Sequence, residues 1–312
     1  VTSRSTGTTW LREKFGSTEP NPAKKEFHPM FWVTGLFNSL AFAAILFVLA
    51  AGFSLIFGLM RVANLTHGAV FMLGGYIASS TVHLGFLTAV LISAAACAVL
   101  GAAIQYLLVQ RLAGRELAQV LATLGLAFII ADQCFLVWGG DPVAVSGPSF
   151  LQGVTRIGYF AFPLYRLFMI GVAAAIAIAL WFVVERTLLG ARIRAAVDDR
   201  EMARAVGIPV GWLFTTVFCL GAALAGAGGA LAAPIMSVYP GLDIEMLPLA
   251  LLVVILGGIG SLMGSLVGSI LIGIIYTFGQ ILLPDLSYVI LFLPMVIVLA
   301  VRPEGLLGRM QA

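Results

Sequence analysis

The residues of this chain whose types and spacing could do chemistry lie in three places, and none of them is arranged for covalent work. The densest is the stretch Glu185 to Val206. The chain has 17 basic and 14 acidic residues among 312, and nine of those charges fall here: Glu185, Arg186, Arg192, Arg194, Asp198, Asp199, Arg200, Glu201 and Arg204. Within it Asp198 is a good N-cap, and Glu201 stands at the third helical position, as in a capping box. Gly207 suits a left-handed C-cap, and Pro209 bars continuation. On a helical wheel Met202, Ala203, Ala205 and Val206 form one arc, while Arg200, Glu201 and Arg204 form the other. The expected object is a two-turn amphipathic helix. It either lies on a membrane surface or plugs into a groove on a separate protein. A chain this poor in charge keeps such a segment for something outside the bilayer to touch, and we read it as a docking point.

The second place is a pair of Gly-rich breaks in otherwise apolar sequence. One runs from Gly58 to Gly68 and holds Asn64, Thr66, His67 and Gly68; the other runs from Gly257 to Gly264 and holds Gly257, Gly258, Gly260 and Ser261. In hydrocarbon an unwound backbone must be covered by protein or face water. Asn64, His67 and Ser261 therefore have two readings: contact with something that passes, or satisfaction of peptide groups freed by the break. Each break precedes a helix with small residues four apart, Gly74 with Ala78 and Gly260, Gly264, Gly268, a spacing that permits close helix approach. The third place is Asp132, the one acid inside a predicted span, which is either a functional candidate by default or an acid that reaches the outer interface with Gln133. Asp243 and Glu245 are placed by the charge pattern on the outer face.

Several chemistries are excluded. No paired carboxylates, His/Cys cluster or activated Ser arrangement is present, and His28, His67 and His83 are too scattered for a metal site. Cys97, Cys134 and Cys219 sit in apolar stretches and read as free buried thiols. No Gly-x-x-x-x-Gly-Lys-Ser/Thr occurs, so the chain has no P-loop with which to hydrolyse ATP. There is no basic patch with interleaved aromatics, which argues against nucleic acid.

The elements that position these residues follow from composition. The chain is 61% hydrophobic and 10% charged, against roughly 25% charged in soluble domains. Apolar runs at Val33–Phe57, Ala69–Val82, Phe86–Val109, Leu117–Trp138, Leu167–Val184, Gly211–Ala233, Met246–Leu256, Leu262–Leu283 and Leu286–Val301 predict an all-α, polytopic transmembrane bundle of about eight or nine helical segments. Some are too short to cross alone, since a span needs ~20 residues. Residues 1–32 read as a polar tail, 33–308 as the membrane domain with 185–206 as its charged loop, and 309–312 as a second tail. Gly139 to Pro163 reads as a long polar-leaning loop. Arg-rich loops, the one at 185–206 and that at Arg111 and Arg115, mark the cytoplasmic side. Counting crossings back from Arg111 puts the start of the first span outside, whereas the basic residues of the tail favour inside.

Together, the run Gly58 to Gly75, the segment Ala203-Arg204-Ala205-Val206-Gly207-Ile208, the break Gly257-Gly258-Ile259-Gly260-Ser261 and the ending Arg302-Pro303-Glu304-Gly305-Leu306-Leu307-Gly308 resemble the permease subunits of branched-chain amino acid ABC transporters. The resemblance covers about residues 33 to 308. It departs in Thr66, where the family motif has Ala, and in the N-terminal extension of about 30 residues. It implies a multi-pass protein of the bacterial inner membrane that is not an enzyme and has no cofactor of its own. ATP and Mg would sit on two separate ATP-binding subunits. A second, related permease subunit and an extracytoplasmic substrate-binding protein complete the implied assembly, and branched-chain amino acids or related small polar solutes are the implied cargo. The family's coupling segment falls on Asp198, Asp199, Arg200, Glu201, Met202, Ala203, Arg204 and Gly207. The competing class is an ion-coupled secondary transporter or channel, which also uses broken helices but would carry more intramembrane ionisable residues.

Overall fold

The computed structural model describes residues 29–60, 64–157, 160–302 and 304–308. The polar tails at 1–28 and 309–312, together with Arg61, Val62, Ala63 and Pro303 of the motifs above, lie outside the described residues. In chain order the helices are α1 (Pro29–Met60), α2 (Thr66–Thr81), α3 (Phe86–Ile104), α4 (Glu116–Trp138), α5 (Leu164–Arg186), α6 (Leu188–Asp198), α7 (Arg200–Ala205), α8 (Val210–Ala232), α9 (Leu242–Gly257), α10 (Leu262–Leu282) and α11 (Ser287–Val301). Among the described residues six helical stretches are long and apolar enough to cross a membrane: Phe31–Gly58, Phe86–Leu112, Glu116–Trp138, Leu164–Arg186, Val210–Ala232 and Leu262–Leu282. The all-α bundle is as expected. The loop before α5 holds more structure than expected, an antiparallel hairpin of β1 (Val154–Ile157) and β2 (Phe160–Pro163).

α1 is apolar all round because it is buried all round. From Ala43 to Phe53 nearly every side chain is enclosed, with α8, α10 and α5 packed about it. A helix with no polar face must be a core helix. Close approach elsewhere is made by small residues. Gly74 lies against the backbone of Gly226, Gly229 against the carbonyl of Phe71, and Gly273 against Ser39 and Ala43. In lipid, water does not drive helices together, so the gain comes from such van der Waals contact.

The two ends of the bundle can be told apart. At one end Leu55 and Met60 of α1 meet the α6–α7 segment and the start of α8. The Arg111 turn belongs to this end as well, since Gln110 approaches Gly211. At the other end Phe37 packs on Phe162, Asn38 bonds to Arg166, and Val143 pairs with Val238. The Arg-rich end is the cytoplasmic one by charge. α1 therefore starts at the outer end, in agreement with the crossing count and against the reading from the tail's charges.

Gly229→Ala should be costly, because the added methyl meets the Phe71 carbonyl, which no side-chain rotation can move. A loss of about 1–3 kcal/mol is expected. Thermal unfolding in detergent should show a clear drop for Gly229→Ala and none for Gly171→Ala, whose methyl meets nothing within 4 Å.

Candidate functional site

The two breaks, nearly two hundred residues apart in sequence, meet in space. A methyl on Gly58 would lie 2.6 Å from Cα of Gly260, so the last turn of α1 rests directly on the α9–α10 turn. That turn is sharp: Gly258 and Gly260 have φ of 105° and 76°, a region that glycine enters freely. The C-terminal segment closes over it. Leu306 and Leu307 donate their N–H groups to the carbonyls of Leu256 and Gly257 at 2.8 and 3.0 Å, and Gly305 lies against Gly258. Three of the four motifs singled out in the sequence thus form one cytoplasmic junction.

The polar residues of the breaks satisfy backbone groups. Asn64 Oδ1 accepts from the N–H of Thr66 at 3.2 Å and from its hydroxyl, an Asx turn that opens α2. The departure at Thr66 is absorbed locally, since its buried hydroxyl points into Asn64. His67 is fully enclosed, and its Nε2 donates to the Leu49 carbonyl of α1 at 3.0 Å. Ser261 caps α10 by accepting from Gly264 N–H at 3.0 Å. Gly68 lets α2 touch the Asp243 carbonyl. Two supporting residues escaped the sequence reading. Thr123 accepts from the N–H of Leu65 at 3.3 Å, and Gln119 donates to the Val109 carbonyl at 2.9 Å. With Asn64, Met60, Ile56, Val109 and Phe218 they line a small cleft. Their spacing of four on the buried face of α4 was the available signal.

The charged segment is more helical than expected. Thr187 caps α6 by accepting from Gly190 N–H. Arg194 then ties α6 back to the end of α5, bonding to the Val184 carbonyl and pairing with Glu185 at 3.6 Å. The cap of α7 is Asp199, not Asp198. Asp198 is the last residue of α6, whereas Asp199 is extended and accepts from Glu201 and Met202 N–H, both at 2.9 Å. No capping box forms, because Glu201 is then at the second position and the N–H of Asp199 is already donated to Ala195. The other end is as expected. Gly207 has φ 84°, and the bonds Gly207 N–H to Arg204 and Ile208 N–H to Ala203 make a Schellman cap. Arg200 lies over the Phe214 ring at 4.6 Å, a cation–π contact that fixes α7 on α8. Of the apolar arc only Ala203 is buried against α8, while Met202 and Val206 are 59% and 68% exposed.

The remaining candidates separate. Asp132 is exposed on α4. Asp243, placed on the outer face by the charge pattern, is enclosed at the start of α9, with one carboxyl oxygen that has no partner among the described residues. Gly241, with φ 101°, turns the chain inward just before it. Glu245 stays exposed and accepts from the Tyr239 hydroxyl at 2.7 Å. Cys97 and Cys134 are buried free thiols, and Cys219 is half-buried. Among the described residues no cluster of His, Cys, Asp and Glu could hold a metal ion.

Residues 35–299 match the family described as branched-chain amino acid transport system / permease component. The chain belongs to this family. It is 26% identical over 292 residues to the high-affinity branched-chain amino acid transport system permease protein BraD of Pseudomonas aeruginosa, covering 88% of this chain and 95% of that one. To LivH of Escherichia coli K12, with the same description, it is 26% identical over 90% of this chain and 96% of that one. It is also 26% identical to the ribose import permease protein RbsC of the same strain, over 88% and 87% of the two chains. The chain is a multi-pass inner-membrane permease component of an ABC importer. It is not an enzyme, and ATP hydrolysis belongs to separate subunits.

The cap assignment has a direct consequence. Asp199→Ala should weaken α7 by about 0.5–2 kcal/mol, and Asp198→Ala should not. Hydrogen exchange over residues 200–206 should quicken in the first variant and stay unchanged in the second.

Proposed function

We propose that this permease carries branched-chain amino acids or related small polar solutes, delivered by an extracytoplasmic binding protein. In this reading it works beside a second, related permease and two ATP-binding subunits that hold the ATP and Mg. The observation that carries the reading is the exposed half of α7. A short helix capped at both ends and pinned to α8 by Ala203 and Arg200 still presents Met202, Ala205 and Val206 outward at the Arg-rich end. Three of the four apolar residues of its arc face away from its own chain, which suits insertion into a groove on another protein. The coupling residues are Asp198, Asp199, Arg200, Glu201, Met202, Ala203, Arg204 and Gly207, of which Asp199 and Gly207 shape the helix.

Force on α7 reaches the breaks through a short path. Ala203 and Ala196 belong to one buried cluster with Val210 and Phe214 of α8, against which Leu55 and Met60 of α1 pack, within a turn of Gly58, and Gly58 rests on Gly260. A rigid-body shift of α7 would thereby move the junction of Gly58 with Gly257, Gly258, Gly260 and Ser261, and, through the His67 bond to Leu49 of α1, the start of α2 with Asn64, Thr66, His67 and Gly68. Their role in this reading is to keep two broken helices satisfied while they move beside the path, with no direct hold on the solute. The substrate assignment leans on the similarity to the branched-chain amino acid permeases, and the ribose permease among the relatives marks the width of the class.

The test is reconstitution of the whole assembly in proteoliposomes with radiolabelled leucine. Uptake should require both ATP and the ATP-binding subunits. Met202→Asp and Val206→Asp should each lower it on the order of tenfold by breaking the docked face, with the variant chains still folded. Leucine accumulation by the purified chain alone, driven by an ion gradient, would overturn the reading in favour of a secondary carrier.

A further inference from the structure

Charged side chains are scarce in the six membrane-crossing helices, and all but one sit at the ends. Arg111, Glu116, Arg166, Glu185 and Arg186 each lie within two residues of a helix terminus. Asp132 lies six residues before Trp138, about 9 Å of helix into the span. It is exposed, and it makes no hydrogen bond or ion pair among the described residues. The opposite face of α4, with Thr123, Ala127, Ile130 and Cys134, is the one turned to the core. Asp132 therefore points away from its own subunit. It shares an exposed stripe with Leu121, Gly125 and Phe128, at the spacing that places residues on one helix face.

An ionisable group at this depth faces a water-filled cavity or a cation rather than acyl chains. Among the described residues nothing encloses Asp132, which leaves the second permease of the proposed assembly to do so, with the solute passing between the two. We propose that Asp132 lines the translocation path at that contact and pairs with the protonated amine of the transported solute. The proposal rests on the function proposed above and narrows it. The chain would favour solutes that carry an ammonium group and disfavour anions of the same size. Asp132 is then a specificity-determining residue, in outward view from α4, while the breaks near the cytoplasmic end do the moving.

Two measurements on the assembled transporter test this, each made with its partners present. Asp132→Asn should lower ATP-driven leucine uptake on the order of tenfold or more, as loss of one partner of a desolvated charge pair does. Asp132→Glu should retain most of it, and both variants should keep wild-type assembly. In a Cys219→Ala background, Asp132→Cys should react with a membrane-impermeant methanethiosulfonate during ATP turnover, and leucine-loaded binding protein should slow the reaction. Equal leucine uptake by wild type and Asp132→Asn overturns the inference, as does an unreactive introduced thiol. Loss of assembly in Asp132→Asn also overturns it, since the acid would then be paired to the partner subunit. If the wild-type assembly takes up no amino acid at all, the broader functional reading has failed and Asp132 is not the cause.

Discussion

Wherever a helix is broken inside a bilayer, the freed peptide groups must find partners in the protein, because lipid offers none and each unpaired group costs several kcal/mol. This chain breaks two helices and meets the requirement by bringing the breaks together. At the first, Asn64 takes the N–H of Thr66, and Thr123 takes that of Leu65. At the second, Ser261 caps α10, and the C-terminal segment donates to the carbonyls of Leu256 and Gly257. The bare backbones of Gly58 and Gly260 then touch without side chains between them. A larger residue at either position would push the junction apart and expose what these bonds cover.

The placement of the cytoplasmic helices follows from that junction. α7 sits on α8, and the cluster that holds Ala203 is the one against which Leu55 and Met60 of α1 pack. α6 is tied to α5 by Arg194, whose bond to the Val184 carbonyl is backed by an exposed ion pair of little energetic weight. The segment is thus held by two different spans, one on each side. A push on it is shared between α5 and α8, and α1 lies in contact with both. Under the proposed function this makes the charged unit a handle whose motion reaches α1 through α5 and α8.

Much of this was legible in the sequence because lipid leaves few options. A long apolar run has to be a helix, so the spans, the two breaks and the Gly207 cap could be read from residue type and spacing. What could not be read depended on competition between neighbours. Asp198 and Asp199 are equally good caps by type, and the choice was made by α6, which runs one residue further than its charges advertise and consumes the N–H of Asp199. Thr187 before an apolar pair was a fair start signal for α6, but the charges around it read as loop. The hairpin after Gly139 was hidden because β1 and β2 are only four residues each. The contact of Gly58 with Gly260 carries no local signal, since a close approach requires only that both partners lack side chains.

Asp132 and Asp243 show how geometry assigns different roles to residues that composition treats alike. Each is an isolated acid near the outer half of the bundle. Asp243 follows the inward turn at Gly241 and is trapped where α2 presses on its backbone at Gly68, so its carboxyl is closed off from anything that passes. Asp132 and Cys134 are two residues apart on α4, and a helix sends such a pair to different faces. Cys134 goes to the core and Asp132 to the surface. An outward acid is tolerable in this position only if the surface is itself covered by something polar. A single copy of this chain leaves it bare, and under the proposed reading the second permease covers it along α4.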